Sequence, residues 1–173
     1  YPAFLDDYAY LIQALIHLQE ITGNQDYLFK AKSLAEFVDA NFSDRERLHF
    51  FYTHANQGDV IVRTKEVYDG ATPSGNAIMA WNLYYLSTVF DIPAWKKRSM
   101  EMAEALQSMA IKYPGSFGMW ACVMADFFYG ISEIAIVGDN YDKITFSVLK
   151  YYIPNKVVQS SAGNSERFPL LSN

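Results

Sequence analysis

The stretch YDGATPSGNA, Tyr68 to Ala77, sets a phenol, a carboxylate, small hydroxyls and an amide immediately ahead of an apolar run. Asp69-Gly70 makes a tight turn, Thr72 is placed to cap a helix, and Pro73 suits a first helical position because it lacks an N–H that would go unpaired there. Ser74, Gly75 and Asn76 keep the first turn narrow. A second acidic set, Asp6-Asp7, opens another apolar run near the start of the chain. Carboxylates in a first helical turn accept from unpaired amides and complement the helix dipole, so capping alone explains them. In a second reading one carboxylate caps while Asp7 faces the helix mouth as a general acid or base, with Asp69 opposite it. Glu66, Tyr68, Asp69 and Asn76 then supply a carboxylate pair, a stacking ring and an amide, groups suited to sugars and other polyhydroxylated ligands. The catalytic candidates are Asp7 and Asp69, and the ligand-binding candidates are Asp6, Glu66, Tyr68, Ser74 and Asn76.

Other chemistry-bearing residues read as structural. His17, His49 and His54 lack the spacing and cysteine neighbours of a metal shell, so neither a metal nor a cofactor is expected. EIAIVGDN, from Glu133, resembles the start of a nucleotide-binding unit, but no Gly-x-Gly-x-x-Gly follows, and Asp139 reads as a helix N-cap. Trp120, Phe127, Phe128 and Tyr129 have the spacing of core positions. Cys122 can close no intramolecular disulfide and sits in an apolar run, which reads as a small buried side chain in a cytoplasmic protein.

The elements that must position these residues show a repeat. An apolar helix from Phe4 to Thr22 ends at Gly23-Asn24 and is followed by an amphipathic helix from Tyr27 to Phe42. The same order returns as an apolar helix from about Pro73 to Phe90, a break at Asp91 to Pro93, and an amphipathic helix from Trp95 to about Ala110. The offset is 68 residues, matching Leu15 with Leu83, Leu18 with Leu86, Tyr27 with Trp95 and Ala35 with Ala103. It also superposes Ser74 and Gly75 on Asp6 and Asp7, so both acidic segments are expected at one end of the bundle. Helical hairpins that alternate a covered helix with a half-exposed one suit a double-layered ring or solenoid. Leu48 to Tyr52 and Val60 to Val62 read as a β-hairpin on one end of the helices. A third apolar helix follows at Phe117 to Tyr129, then a strand at Glu133 to Val137, a helix at Tyr141 to Tyr152 and a strand at Lys156 to Gln159, a parallel pair with a crossover. The tail beyond Ser160 carries no packing signal.

A chain of 173 residues, 51% hydrophobic and 16% aromatic, is long enough for a large core in one domain. Its net charge of −5 and lack of basic clusters argue against nucleic acid and anionic membranes as partners. No apolar run approaches the roughly 20 residues that span a bilayer. The chain opens at Tyr1 inside a helical pattern, so it reads as a piece of something longer.

AFLDDYAYLI from Ala3, VYDGATPSGNA from Val67, and EIAIVGD followed by YIPNKVV resemble the C-terminal part of the spermatogenesis-associated, thioredoxin-domain-containing family. The three motifs span most of the chain in order. The resemblance implies roughly the last half of an α/α toroid similar to six-hairpin glycosidases and N-acylglucosamine 2-epimerases, within a protein whose thioredoxin-like domain has no counterpart in these residues. It carries Asp6, Asp7, Tyr68, Asp69, Ser74 and Asn76 over as motif positions. Three functions compete: a sugar-processing or sugar-binding domain with its cleft at the inner-helix mouths, a non-catalytic scaffold that presents clients to a thioredoxin-like domain or packs against a partner and self-associates through faces left uncovered, and a nucleotide site at Gly138-Asp139.

Overall fold

A computed structural model describes residues 3–44 and 48–172. It is mainly helical, with a small two-stranded parallel sheet. Helix α1 spans Leu5–Thr22 and α2 Asp26–Phe42; α3 spans Gly75–Phe90, α4 Pro93–Glu104, α5 Gln107–Lys112 and α6 Gly118–Tyr129. Strand β1 (Ser132–Val137), helix α7 (Tyr141–Leu149) and strand β2 (Lys156–Ser161) complete the order.

The two expected hairpins are present, α1 against α2 and α3 against α4, with α1 and α3 side by side. The 68-residue offset has a backbone counterpart. α1 ends at Gly23 and α3 at Asp91, both in the left-handed conformation with φ of 69° and 50°, and each cap amide donates to a carbonyl in the last turn (Gln19 and Ser87). Gly23 has a second reason to be glycine, since a Cβ there would lie 2.9 Å from Ser160 Oγ and 3.0 Å from the Tyr141 ring.

The apolar character of α3 has its explanation in burial on nearly every side, from Ser74 through Leu86 except Trp81, by α1, α4, α6 and β2. α2 buries one stripe, Leu28, Ala31, Ala35, Val38 and Phe42, and turns its lysines outward. β1 and β2 pair in register from Ser132↔Lys156 to Val137↔Ser161, with α7 as the crossover expected from strand-helix-strand order. Arg98 of α4 ties the outer layer together. Its guanidinium donates to Asp39 and Ser43 (2.9 Å) and to the Leu48 carbonyl (3.0 and 3.3 Å), and lies 3.9 Å from the centre of the Phe50 ring.

Several expectations are corrected. Leu48 to Tyr52 and Val60 to Val62 form no strands: Tyr52 N–H does donate to Thr64 (2.8 Å), but Phe51 N–H goes to Phe42 and Phe50 is bound by the Asn76 side chain, so no ladder develops. The segment remains a loop across the starts of α1 and α3, with Leu5 N–H donating to Tyr52 (2.9 Å). The helix after Pro93 breaks at Ala105-Leu106 and resumes as α5. α3 is capped by Ser74, whose hydroxyl accepts from Ala77 N–H, with Thr72 and Pro73 outside the helix. Asn140 takes the N-cap position of α7 expected for Asp139. Cys122 is exposed, because it lies on a face of α6 that nothing covers. The tail packs: Phe168 and Leu171 are buried, with the Phe168 ring 5.4 Å from both Phe29 and Phe90.

Candidate functional site

The acidic segments do meet at one end of the bundle. Asp6 stands against Gly75 so closely that a Cβ on residue 75 would overlap its carboxylate and approach its Cα to 3.2 Å, which makes Gly75 the condition for α1 and α3 to start side by side. Tyr10 of the next turn donates its hydroxyl to the Pro73 carbonyl at 2.8 Å. α6 begins at the same end, because Asp69 reaches both helix starts. Its Oδ1 accepts from Ser74 N–H at 2.9 Å and its Oδ2 from Met119 N–H at 2.8 Å. The Trp120 indole donates to the Val67 carbonyl at 2.8 Å on the same side.

The individual candidates have different situations. Asp7 occupies the third position of α1, is exposed, and its Oδ2 accepts from Phe4 N–H at 2.8 Å, the return half of a capping box. Asp6, one residue earlier, is half-buried; its Oδ1 is enclosed and has no well-aligned hydrogen-bond partner. Burial pushes its carboxyl above the usual range, the charges of Glu66 and Asp7 push the same way, and the neighbouring Gly75 amide pulls back. Glu66 is exposed at the same rim. Tyr68 is 62% exposed, its ring tilted against Phe117 at 5.1 Å. Ser74 is buried as the α3 cap.

Asn76 is fully buried and saturated. Its Oδ1 accepts from Phe50 N–H (2.8 Å), and its amide donates to the carbonyls of Phe50 (3.0 Å) and Glu66 (2.8 Å). The rim therefore gathers Asp6, Asp7 and Glu66, while Asn76 points into the core and Asp69 and Tyr68 lie beside the start of α6.

Tyr52 is a rim residue that sequence reasoning missed. It stacks on Phe4 with ring centres 4.8 Å apart, and its hydroxyl is pushed up by burial and then by Asp6, Glu66 and Asp7. The signal was an aromatic residue beside a segment that had to cross the helix starts. Of the histidines, only His17, in the second half of α1, stands apart from this end, paired with Glu20 (3.2 Å); His49 donates to the Met102 carbonyl (3.1 Å) with its ring 5.5 Å from Trp120, and His54 accepts from Asn56 N–H (3.0 Å) with its ring 5.6 Å from Phe42. Burial holds His49 below the usual imidazole range. Among the described residues no helix is long and apolar enough to cross a membrane.

No protein-family model matches the chain. The chain is similar to Spermatogenesis-associated protein 20 of Rattus norvegicus, with 29% identity over 180 residues that cover 98% of this chain and 23% of that protein. The human protein of the same name is 27% identical over 170 residues, covering 95% and 22%. An uncharacterized protein of Caenorhabditis elegans is 29% identical over 137 residues, covering 79% and 18%. The chain thus spans less than a quarter of the length of the curated relatives it matches, and its similarity to the spermatogenesis-associated proteins runs through nearly all of its own length.

Proposed function

We propose that this chain is part of an α/α toroid whose inner helices are α1, α3 and α6, and that their common starting rim binds, and in the complete protein processes, a sugar-like polyhydroxylated ligand. Support comes from the shared end at which the three helices begin, from the similarity to the spermatogenesis-associated proteins, and from the chemistry of the rim. In this reading Asp6 and Glu66 form the acid–base pair in place of Asp7 and Asp69, whose oxygens are engaged by backbone amides. The observation that carries it is the enclosed Oδ1 of Asp6, set beside the Gly75 amide without a well-aligned hydrogen bond and under the influence of Glu66. Asp6, its carboxyl raised chiefly by burial, donates a proton; Glu66, exposed at the same rim, accepts one; Tyr52 stands beside them to orient a sugar ring. Asp7 and Asp69 hold the helix starts in place.

The test is calorimetric titration with a panel of mono- and disaccharides. A bound sugar should lose about 1–3 kcal/mol of affinity in both Asp6→Asn and Glu66→Gln, with little change in melting temperature. Binding that survives both substitutions would sink the assignment.

A second reading is a non-catalytic module that presents partners to a thioredoxin-like domain. Phe128 and Tyr129 at the end of α6, 82% and 78% exposed, and Phe146 of α7, 65% exposed, favour it. Concentration-dependent light scattering that falls away in Phe128→Ser, together with no sugar binding, is the outcome expected of that module; a concentration-independent mass would remove it.

A further inference from the structure

The second half of α1, the middle of α3, the length of α6 and the segment 149–156 line a half-open cleft of about 540 Å³ that shares no residue with the acidic rim. Three helices face it at helical spacing, with His17 and Glu20 from α1, Trp81, Tyr84 and Tyr85 from α3, and Asp126 from α6. The two acids are each 6% exposed. Glu20 is held: it accepts from the Tyr85 hydroxyl at 3.1 Å and lies 3.2 Å from His17 Nδ1. The Asp126 carboxylate has neither hydrogen bond nor ion pair among the described residues, and burial alone raises its carboxyl to about 6. Burial raises the Tyr84 hydroxyl, and the charges of Asp126 and Glu133 push the same way.

We propose that this cleft binds a small primary amine, with Asp126 accepting its ammonium hydrogens, Glu20 adding a second negative charge, and the rings of Trp81, Tyr84 and Tyr85 forming the wall. A buried carboxylate without a partner is costly, and a cation that brings N–H donors complements it best. Aromatic faces attract the same cation, and His17 and Tyr85 already stand 5.6 and 5.4 Å from the Trp81 ring as a run of adjoining rings. The volume suits a small molecule. The lysines of the lining leave the acid free. Among the described residues Lys156 forms no ion pair with Glu20 or Asp126, and the Lys150 ammonium lies 4.5 Å from the centre of the Phe146 ring.

Titration of the protein with n-butylammonium and, in parallel, with n-butanol tests the assignment through tryptophan emission. The ammonium should saturate with a dissociation constant about tenfold or more below that of the alcohol, and Trp81→Phe should remove the emission change. Asp126→Asn, nearly identical in shape, should weaken the ammonium about tenfold or more. Should that variant fail to fold, the Trp81 indole N–H resonance of the unaltered protein still reports the site, and it should move with the ammonium and not with the alcohol. Equal affinity for the two probes, unchanged binding in Asp126→Asn, or saturation by glucose alone would overturn the proposal. Amine binding that emerges only in Lys156→Met would overturn it as well, since Asp126 would then be the resting partner of that lysine.

Discussion

Asn76→Ala should lower the stability of the chain by about 3–5 kcal/mol, because one truncation strands three backbone groups at once. The Phe50 amide, the Phe50 carbonyl and the Glu66 carbonyl all end on the Asn76 side chain inside the core. Each unsatisfied buried group costs about 1–3 kcal/mol, and partial relaxation brings the total below the simple sum. Asn76→Asp should be at least as damaging, since it removes the donor facing two carbonyls and places a charge where nothing neutralises it. Chemical denaturation measures the loss; at about 2–4 °C per kcal/mol for a chain of this size, the melting temperature should fall by roughly 10 °C. A loss under about 1 kcal/mol, accompanied by weaker ligand binding, would instead return Asn76 to the ligand-binding role expected from its position in the motif.

Arg98→Met should cost about 2–4 kcal/mol. The apolar stem packs as before, but the Leu48 carbonyl loses both donors and the Phe50 ring loses the guanidinium stacked on it. Burial pulls the Arg98 pKa down and Asp39 draws it partly back, and removal of the guanidinium leaves Asp39 with the Ser43 hydroxyl (2.9 Å) and water. Asp39 is 45% exposed and can rehydrate, which keeps the cost below that of a fully buried pair. Arg98→Lys should recover less than half of the loss, because a single ammonium cannot serve Asp39, Ser43 and Leu48 together while lying flat on Phe50. Denaturation midpoints of the two variants, with unchanged m-values, would check both figures; full recovery by lysine would show that charge alone matters there.

The helices were legible because burial imposes a 3.6-residue period that sequence displays directly, and the 68-residue repeat was legible because both copies end on the same left-handed cap, at Gly23 and Asp91. What escaped depends on partners distant in sequence. The residues 48–62 have strand-like composition, yet Phe50 spends its backbone groups on Asn76, which no local pattern reveals. Likewise the Asp69 to Met119 bond crosses 50 positions. The break at Ala105-Leu106 carries neither glycine nor proline, and Phe168 and Leu171 look isolated until Phe29 and Phe90 are placed beside them.

At the rim the signal was better than its use. Asp7 stands three residues after the Phe4 cap, the spacing at which an acid folds back onto the cap amide, so it was the capping member of the pair and Asp6 the one left over. The cleft beside α6 was readable only in part. The spacings of His17 with Glu20 and of Trp81 with Tyr85 put each pair on one helix face, but only packing shows that those faces, and Asp126, line the same space.

The double attachment of Asp69 has a dynamic consequence. Because one carboxylate terminates α3 through one oxygen and α6 through the other, a rotation of the Asp69 side chain releases both helix starts at once. The two helix starts are thus expected to open together, with the amide protons of Ser74 and Met119 exchanging with solvent at matching rates.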